Sequence, residues 1–207
     1  MTQQDFINYF QSLGYKSVDK YFRLVVEDFQ RHAGIKSDGI IGPVTKDRIE
    51  YYNKDNYCPE VFEPVLGNRE NVGCCKLEKF ILTLRLSGLS WVFMESQEEY
   101  GVNILHNIAH AVLESASGTS FIARMKNNLY GFMAYDSSPY ASAGKFKDYP
   151  DCIDTWTGWL AENYLFEDGK YYNGNSEYGI NVRYATSPVA GINKAFIVKD
   201  FRKKLND

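Results

Sequence analysis

Residues 103–135, NILHNIAHAVLESASGTSFIARMKNNLYGFMAY, decide how the rest of the chain is read. Ile104, Leu105, Ile108, Val112 and Leu113 recur at helical spacing, with small Ala109 and Ala111 between them, which predicts an amphipathic helix. Asn107, His110 and Glu114 stand at i, i+3 and i+7 and so share one face, polar on an otherwise apolar helix. Gly118 follows the expected helix end, where a left-handed cap costs least. A carboxylate in the last turn of a helix opposes the macrodipole. Partial burial of such a group disfavours its charged form, and a carboxyl that keeps its proton near neutral pH can donate it. Glu114 is thus the first candidate for acid chemistry. The alternative that the residues leave open is a half-buried structural carboxylate bonded to the following loop.

The chain around this stretch has 207 residues, 44% hydrophobic and 15% aromatic, enough for one or two domains with a real core. The net charge of −3 gives no general attraction to nucleic acid or to an anionic membrane. Sixteen tyrosines and three tryptophans suit core and groove lining, and aromatic faces also suit sugar rings. Cys58, Cys74, Cys75 and Cys152 contain no C-x-x-C and read as free thiols, with a bridge after release from the cell as the alternative. His106 and His110 lie four apart, but Asn107 stands where a zinc protease helix carries Glu, so no metal and no organic cofactor are expected. The first five residues, MTQQD, lack the basic start and apolar run of a secretion signal. The longest apolar candidate, residues 80–94, spans only 15 residues and contains Arg85. The expectation is a monomer made in a host cytoplasm, without membrane insertion, that reaches its place of action by another route.

Taken in order, residues 1–52 read as a first unit of three short helices. Phe6, Ile7, Phe10 and Leu13 form one stripe, Phe22, Val25, Val26 and Phe29 a second, and residues 45–52 a third behind a turn, Asp38-Gly39-Ile40-Ile41-Gly42-Pro43. Residues 53–75 form a connector whose Val61, Phe62, Val65 and Leu66 suggest packing on a domain rather than a free linker. Residues 76–207 form the second unit. Helices are expected at 77–86 and 90–100, then the Glu114 helix, then a short helix at 120–126 capped by Thr119 or Ser120. Residues 130–149 read as a loop or irregular hairpin, 151–165 as an amphipathic helix with Trp156 inward, 169–184 as turn-rich, and 191–205 as a last helix. No internal repeat, phosphate-binding loop or nucleophile elbow is visible.

The second unit resembles the glucosaminidase family of peptidoglycan hydrolases. The residues that carry the likeness are Ala109-His110-Ala111, Glu114-Ser115, Gly118-Thr119-Ser120, Asn127-Asn128, Gly131 and Ala134-Tyr135-Asp136-Ser137-Ser138-Pro139-Tyr140. It continues through Glu162-Asn163-Tyr164, Gly169-Lys170-Tyr171-Tyr172-Asn173-Gly174 and Asn181-Val182-Arg183-Tyr184-Ala185, roughly residues 76–205 in all. The first unit resembles the three-helix peptidoglycan-binding domain, through Phe29-Gln30-Arg31, Gly34-Ile35, the Asp38–Pro43 turn and Thr45.

The resemblance implies a mainly α protein: a small three-helix bundle followed by a lysozyme-like α+β, mostly helical, catalytic domain. It implies cleavage of glycan strands between N-acetylglucosamine and N-acetylmuramic acid, in an enzyme of phage or prophage endolysin type that acts on the wall after release or within a virion. The alternatives are an N-acetylmuramidase and a non-catalytic wall-binding protein. Glu114 matches the family's catalytic Glu, the general acid such hydrolysis needs. Asp136 matches an acidic position that could serve as base or steady the positive charge, unless the substrate's own acetamido group does so. Tyr184 matches a tyrosine near the acid. His110, Asn128, Tyr135 and Tyr140 are implied substrate contacts. The chain departs from the family pattern at Ala116-Ser117, where many members carry Gly-Trp, and at Ser187-Pro188-Val189-Ala190, where many carry Asp-Pro-Tyr-Trp.

Overall fold

The computed structural model describes residues 3–12, 18, 20, 22–32, 35–53, 61, 63–134, 138–184 and 190–206. It is mainly helical. Among the described residues no strand forms, and the β component reduces to one antiparallel bridge between Leu66 and Val102.

In the first unit α1 (Gln3–Ser12), α2 (Phe22–His32) and α3 (Pro43–Asn53) enclose Phe6, Val18, Val25, Val26, Phe29 and Ile49. Six side chains make a small core, and one buried amide ties the turn to it. Gln30 Nε2 donates to Asp38 Oδ1, Ile40 O and Thr45 Oγ1, each at 2.9 Å. Its Oε1 accepts from the backbone of Asp38 at 2.9 Å and Gly39 at 2.8 Å. Gly39 turns with φ +70°, and a Cβ there would lie 2.6 Å from Arg23 Cγ, so this position takes glycine for two reasons.

The described end of the connector, residues 63–75, is packed on the second unit. Val65 is fully buried in the second unit's core, and Leu66 exchanges backbone hydrogen bonds with the Asn175 side chain at 2.6 and 2.9 Å. That core continues through α4 (Cys74–Thr83), α5 (Ser90–Tyr100), α6 (Ile104–Ser115), α7 (Phe121–Lys126), α9 (Tyr149–Leu160), α10 (Glu177–Tyr184) and α11 (Ala190–Asn206), while the short α8 (Pro139–Ser142) lies on the surface. Asn103 starts α6, its Oδ1 accepting from the backbone N–H of Leu105 at 2.9 Å and of His106 at 3.3 Å. Ser120 caps α7 and Asp148 caps α9 in the same way.

Three local expectations change. The left-handed cap of α6 falls on Ala116 (φ 51°) and Ser117 (φ 55°) before Gly118, because Ser115 turns its hydroxyl back to Ala111 O and receives Gly118 N. The helix expected to 165 is α-helical only to Leu160 and continues as a π-helical turn, Ala161–Leu165. The turn-rich stretch contains α10. Its Gly179 masks a helix in the sequence, yet it is what lets α10 lie against the preceding loop: a Cβ there would stand 2.1 Å from Gly174 O.

Candidate active site

The polar face of α6 divides in two. Asn107 is buried and occupied: it accepts the Tyr130 hydroxyl at 2.5 Å and donates to Thr157 Oγ1 at 2.8 Å. Tyr130 lies flat on Trp156, centroids 3.8 Å apart and planes 3° from parallel. The fully buried Trp156 is therefore core, as its inward position on α9 predicts. One turn on, His110 is also fully buried, 5.0 Å from the Trp156 ring and edge-on to Tyr184 at 5.6 Å. Only Glu114, in the last turn, keeps an open side chain, 29% exposed.

Behind Glu114 lies a buried charge network that the sequence reading did not contain. Glu177, in the first turn of α10, is completely buried. It accepts from His106 Nδ1 at 2.9 Å and from His110 Nε2 at 3.0 and 2.9 Å. Burial pushes its carboxyl up, but the facing His110, the two imidazole N–H groups and Lys194 outweigh that and hold it well below the usual carboxylate range. For His110 burial dominates and lowers its proton affinity, against the pull of Glu177 and with a further push from Lys194. The tautomer follows from the contacts. Nε2 carries the proton given to Glu177, and Nδ1 has no partner, so a second proton there would be an orphaned buried donor.

Lys194 reaches this network from α11. Its Nζ is fully buried, makes no hydrogen bond, lies 3.5 Å from Glu114 Oε1 and sits 4.6 Å from the Tyr184 ring centroid. Tyr184, the last residue of α10, accepts the Trp156 indole N–H at 3.2 Å. Burial, then the negative charge of Glu114, pushes its phenol well above the ordinary value, so the hydroxyl stays protonated. Three elements thus bring Glu114, Tyr184 and Lys194 together: an open carboxyl, a protonated hydroxyl and a buried lysine head group. The carboxyl is partly buried, as expected, and the side it buries faces a lysine at ion-pair distance.

Other sequence-stated candidates fall into place differently. His110 and Asn128 are not open to a ligand. Asn128 is buried, donating to Phe132 O at 2.9 Å and Gly144 O at 3.0 Å while accepting from Tyr130 N and Phe132 N. It shapes the loop after α7, as His110 fixes Glu177. Tyr140 is 45% exposed, its ring 5.1 Å from that of Phe121, with Lys126 Nζ 4.7 Å above it. Tyr135 and Asp136 lie outside the described residues. Lys194 had a legible signal: α11 buries Gly191, Lys194, Ala195, Val198, Phe201 and Leu205, so a lysine stands on its apolar stripe. Glu177 had none, because its stretch reads as turns.

Among the described residues no three His, Cys, Asp or Glu side chains are arranged to hold a metal, and no helix is long and apolar enough to cross a membrane. Cys74 and Cys75 are exposed free thiols and Cys152 a buried one.

The family model described as "Mannosyl-glycoprotein endo-beta-N-acetylglucosaminidase", the glucosaminidase domain, matches residues 91–196, about half of the chain, from within α5 to within α11. A Streptococcus pneumoniae protein named "Putative endo-beta-N-acetylglucosaminidase" is 42% identical over 113 residues, 55% of this chain and 17% of its own length. A "Beta-N-acetylglucosaminidase" of Bacillus subtilis is 35% identical over 68 residues, 30% of this chain and 8% of its own. The chain therefore spans less than a fifth of these curated relatives. Among solved structures, Autolysin E of S. aureus superposes with a TM-score of 0.59 at 18% identity, covering 87% of this chain and 89% of that one. A catalytic mutant of Autolysin E, crystallised with the disaccharide NAG-NAM, gives 0.57 at 18% identity over 71% and 73%. These structures carry the same helical fold, and the family model spans every element that contributes to the Glu114 cluster. The chain belongs to the glucosaminidase family.

Proposed function

We propose that this chain is a glycoside hydrolase that cuts peptidoglycan glycan strands at the N-acetylglucosaminyl-β-1,4-N-acetylmuramic acid bond, with Glu114 as general acid. The observation that carries the reading is the open Glu114 carboxyl in the family-matched segment, with Tyr184 and Lys194 gathered around it. The disaccharide complex of Autolysin E supports the substrate class.

In this mechanism the Glu114 proton passes to the glycosidic oxygen and the C1–O bond breaks with that oxygen leaving as a hydroxyl. The electron-poor C1 is steadied either by Asp136 or by the substrate's own acetamido oxygen. Water then adds to C1, and its surplus proton restores Glu114 or is taken by Asp136. The Tyr184 hydroxyl, neutral and beside Glu114, can hold that water or the N-acetyl carbonyl. No protein bond is made or broken at the end of the cycle.

The test is a digest of peptide-stripped peptidoglycan by wild type and Glu114→Gln, with products reduced by borohydride and read by mass spectrometry. The expected result is fragments ending in reduced N-acetylglucosamine from wild type and none from a folded Glu114→Gln. Ends of reduced N-acetylmuramic acid would move the cut to the other bond, and wild type that binds glycan without cutting it would end the enzymatic reading.

A further inference from the structure

A lysine whose ammonium is fully buried with no hydrogen-bond acceptor is uncommon, because a desolvated charge is costly unless it is paired. Lys194 is such a residue. Its nearest anion is not the buried Glu177 but the open Glu114, at 3.5 Å. The charged and titratable groups around it come from two other helices: His110 and Glu114 on α6, and Glu177 and Tyr184 on α10. Glu177 already has two imidazole donors, so it does not depend on Lys194 for its hydrogen bonds. The ammonium is left without a hydrogen-bond acceptor, and its one ion-pair contact among the described residues is with the carboxyl the proposed reaction uses.

We propose that Lys194 is a positioning residue for that reaction: its buried ammonium holds the Glu114 carboxyl in place and stabilises the negative charge left on it after proton transfer. The inference rests on the glycoside hydrolase reading above. Its chemistry adds no new reagent. The proton goes from the Glu114 carboxyl to the glycosidic oxygen, the C1–O bond breaks, and the carboxylate that remains faces a positive charge already in place. A charge fixed before the reaction needs no reorganisation during it, which is why preorganised groups of this kind act mainly on the chemical step. Lys194 is too buried to touch a glycan in the free protein, so its effect runs through Glu114 and leaves ground-state binding unchanged.

The experiment measures kcat and KM of the full chain on soluble, peptide-free glycan strands for wild type, Lys194→Met and Lys194→Arg, with the thermal midpoint of each. Lys194→Met should keep KM within about twofold and lose kcat by about 10²-fold or more, the range found when one preorganised donor is removed. Lys194→Arg, which keeps the charge, should recover at least about tenfold of that loss. A merely structural lysine would move the thermal midpoint and leave kcat of the folded protein alone. The inference is overturned if folded Lys194→Met keeps kcat within about threefold of wild type, if the loss lies in KM, or if Lys194→Arg does no better than Lys194→Met. Should Lys194→Met not fold, the neutral Lys194→Gln is set against Lys194→Arg under the same criteria. Wild type that cuts no glycan overturns the functional reading, and this inference with it; wild type that cuts alongside an equally active Lys194→Met overturns the inference alone.

Discussion

Lowering the pH from 7 to 5 should destabilise the second unit by way of one imidazole. His110 is fully buried with Nε2 on Glu177 and Nδ1 unpartnered, and its proton affinity lies below the ordinary value of 6.5, burial being the largest cause. Above pH 6.5 the ring is neutral in the folded and the unfolded chain, so it adds no slope. Below that pH the unfolded chain takes up a proton that the folded chain refuses, and stability falls as pH falls. One proton amounts to about 1.36 kcal/mol per pH unit, so the loss between pH 6.5 and 5 reaches up to about 2 kcal/mol. For a chain of this size that lowers Tm by about 4–8 °C. Glu177 works in the same direction at lower pH. Its folded affinity is depressed, so its contribution is complete above 4.5 and is lost as pH drops further. The assay is thermal unfolding by circular dichroism across this range for wild type and His110→Gln, since glutamine can still donate to Glu177 but does not titrate. The variant should start less stable, and the gap to wild type should narrow on going to pH 5, by up to about 2 kcal/mol. Parallel curves for the two proteins would refute the argument, because the acid sensitivity would then come from other groups.

Tyr130→Phe removes the donor that Asn107 Oδ1 accepts at 2.5 Å while keeping the stack on Trp156, and should cost about 1–3 kcal/mol in denaturant unfolding; an unchanged midpoint would mean the pair contributes nothing net. The Cys152 thiol is buried and pushed up to about 12 by that burial, whereas Cys74 and Cys75 are exposed. A thiol reagent at pH 8 should therefore label Cys74 and Cys75 in the native protein and Cys152 only on unfolding, with peptide mapping by mass spectrometry as the readout. Equal labelling of Cys152 and Cys74 would contradict the placement of Cys152.

The helices whose apolar stripes are continuous were legible in the sequence. The Glu114 helix carries its own periodicity, and Ser120 is a short polar cap at its proper offset. α10 was hidden because Gly179 and its polar neighbours obey a tertiary constraint, the close approach of Gly174 O, rather than helix propensity. Glu114 and Tyr184 were visible through motif residues, and the structure brings them together around Lys194. The character of the α6 face was not visible. Helical spacing puts Asn107, His110 and Glu114 on one side, but whether such a side chain meets solvent or another polar group depends on α9, α10 and α11, 50 or more residues away. Spacing along one element reports direction and says nothing of what arrives opposite it.

The same separation explains why Lys194 stands out against its own helix. α11 contributes Ala195, Val198, Phe201 and Leu205 to the buried face, and at position 194 an apolar side chain of similar length would fill the space without losing a hydration shell. Replacing buried charges with well-packed apolar groups is often neutral or stabilising, so stability alone gives no reason for an ammonium there. Nor does Glu177 require it, since His106 and His110 satisfy that carboxylate from α6. What the ammonium supplies is positive charge 3.5 Å from Glu114 Oε1, held on the buried side of a carboxyl that is itself partly exposed. A fold that keeps a costly group where packing favours an apolar one is carrying it for the carboxylate it faces.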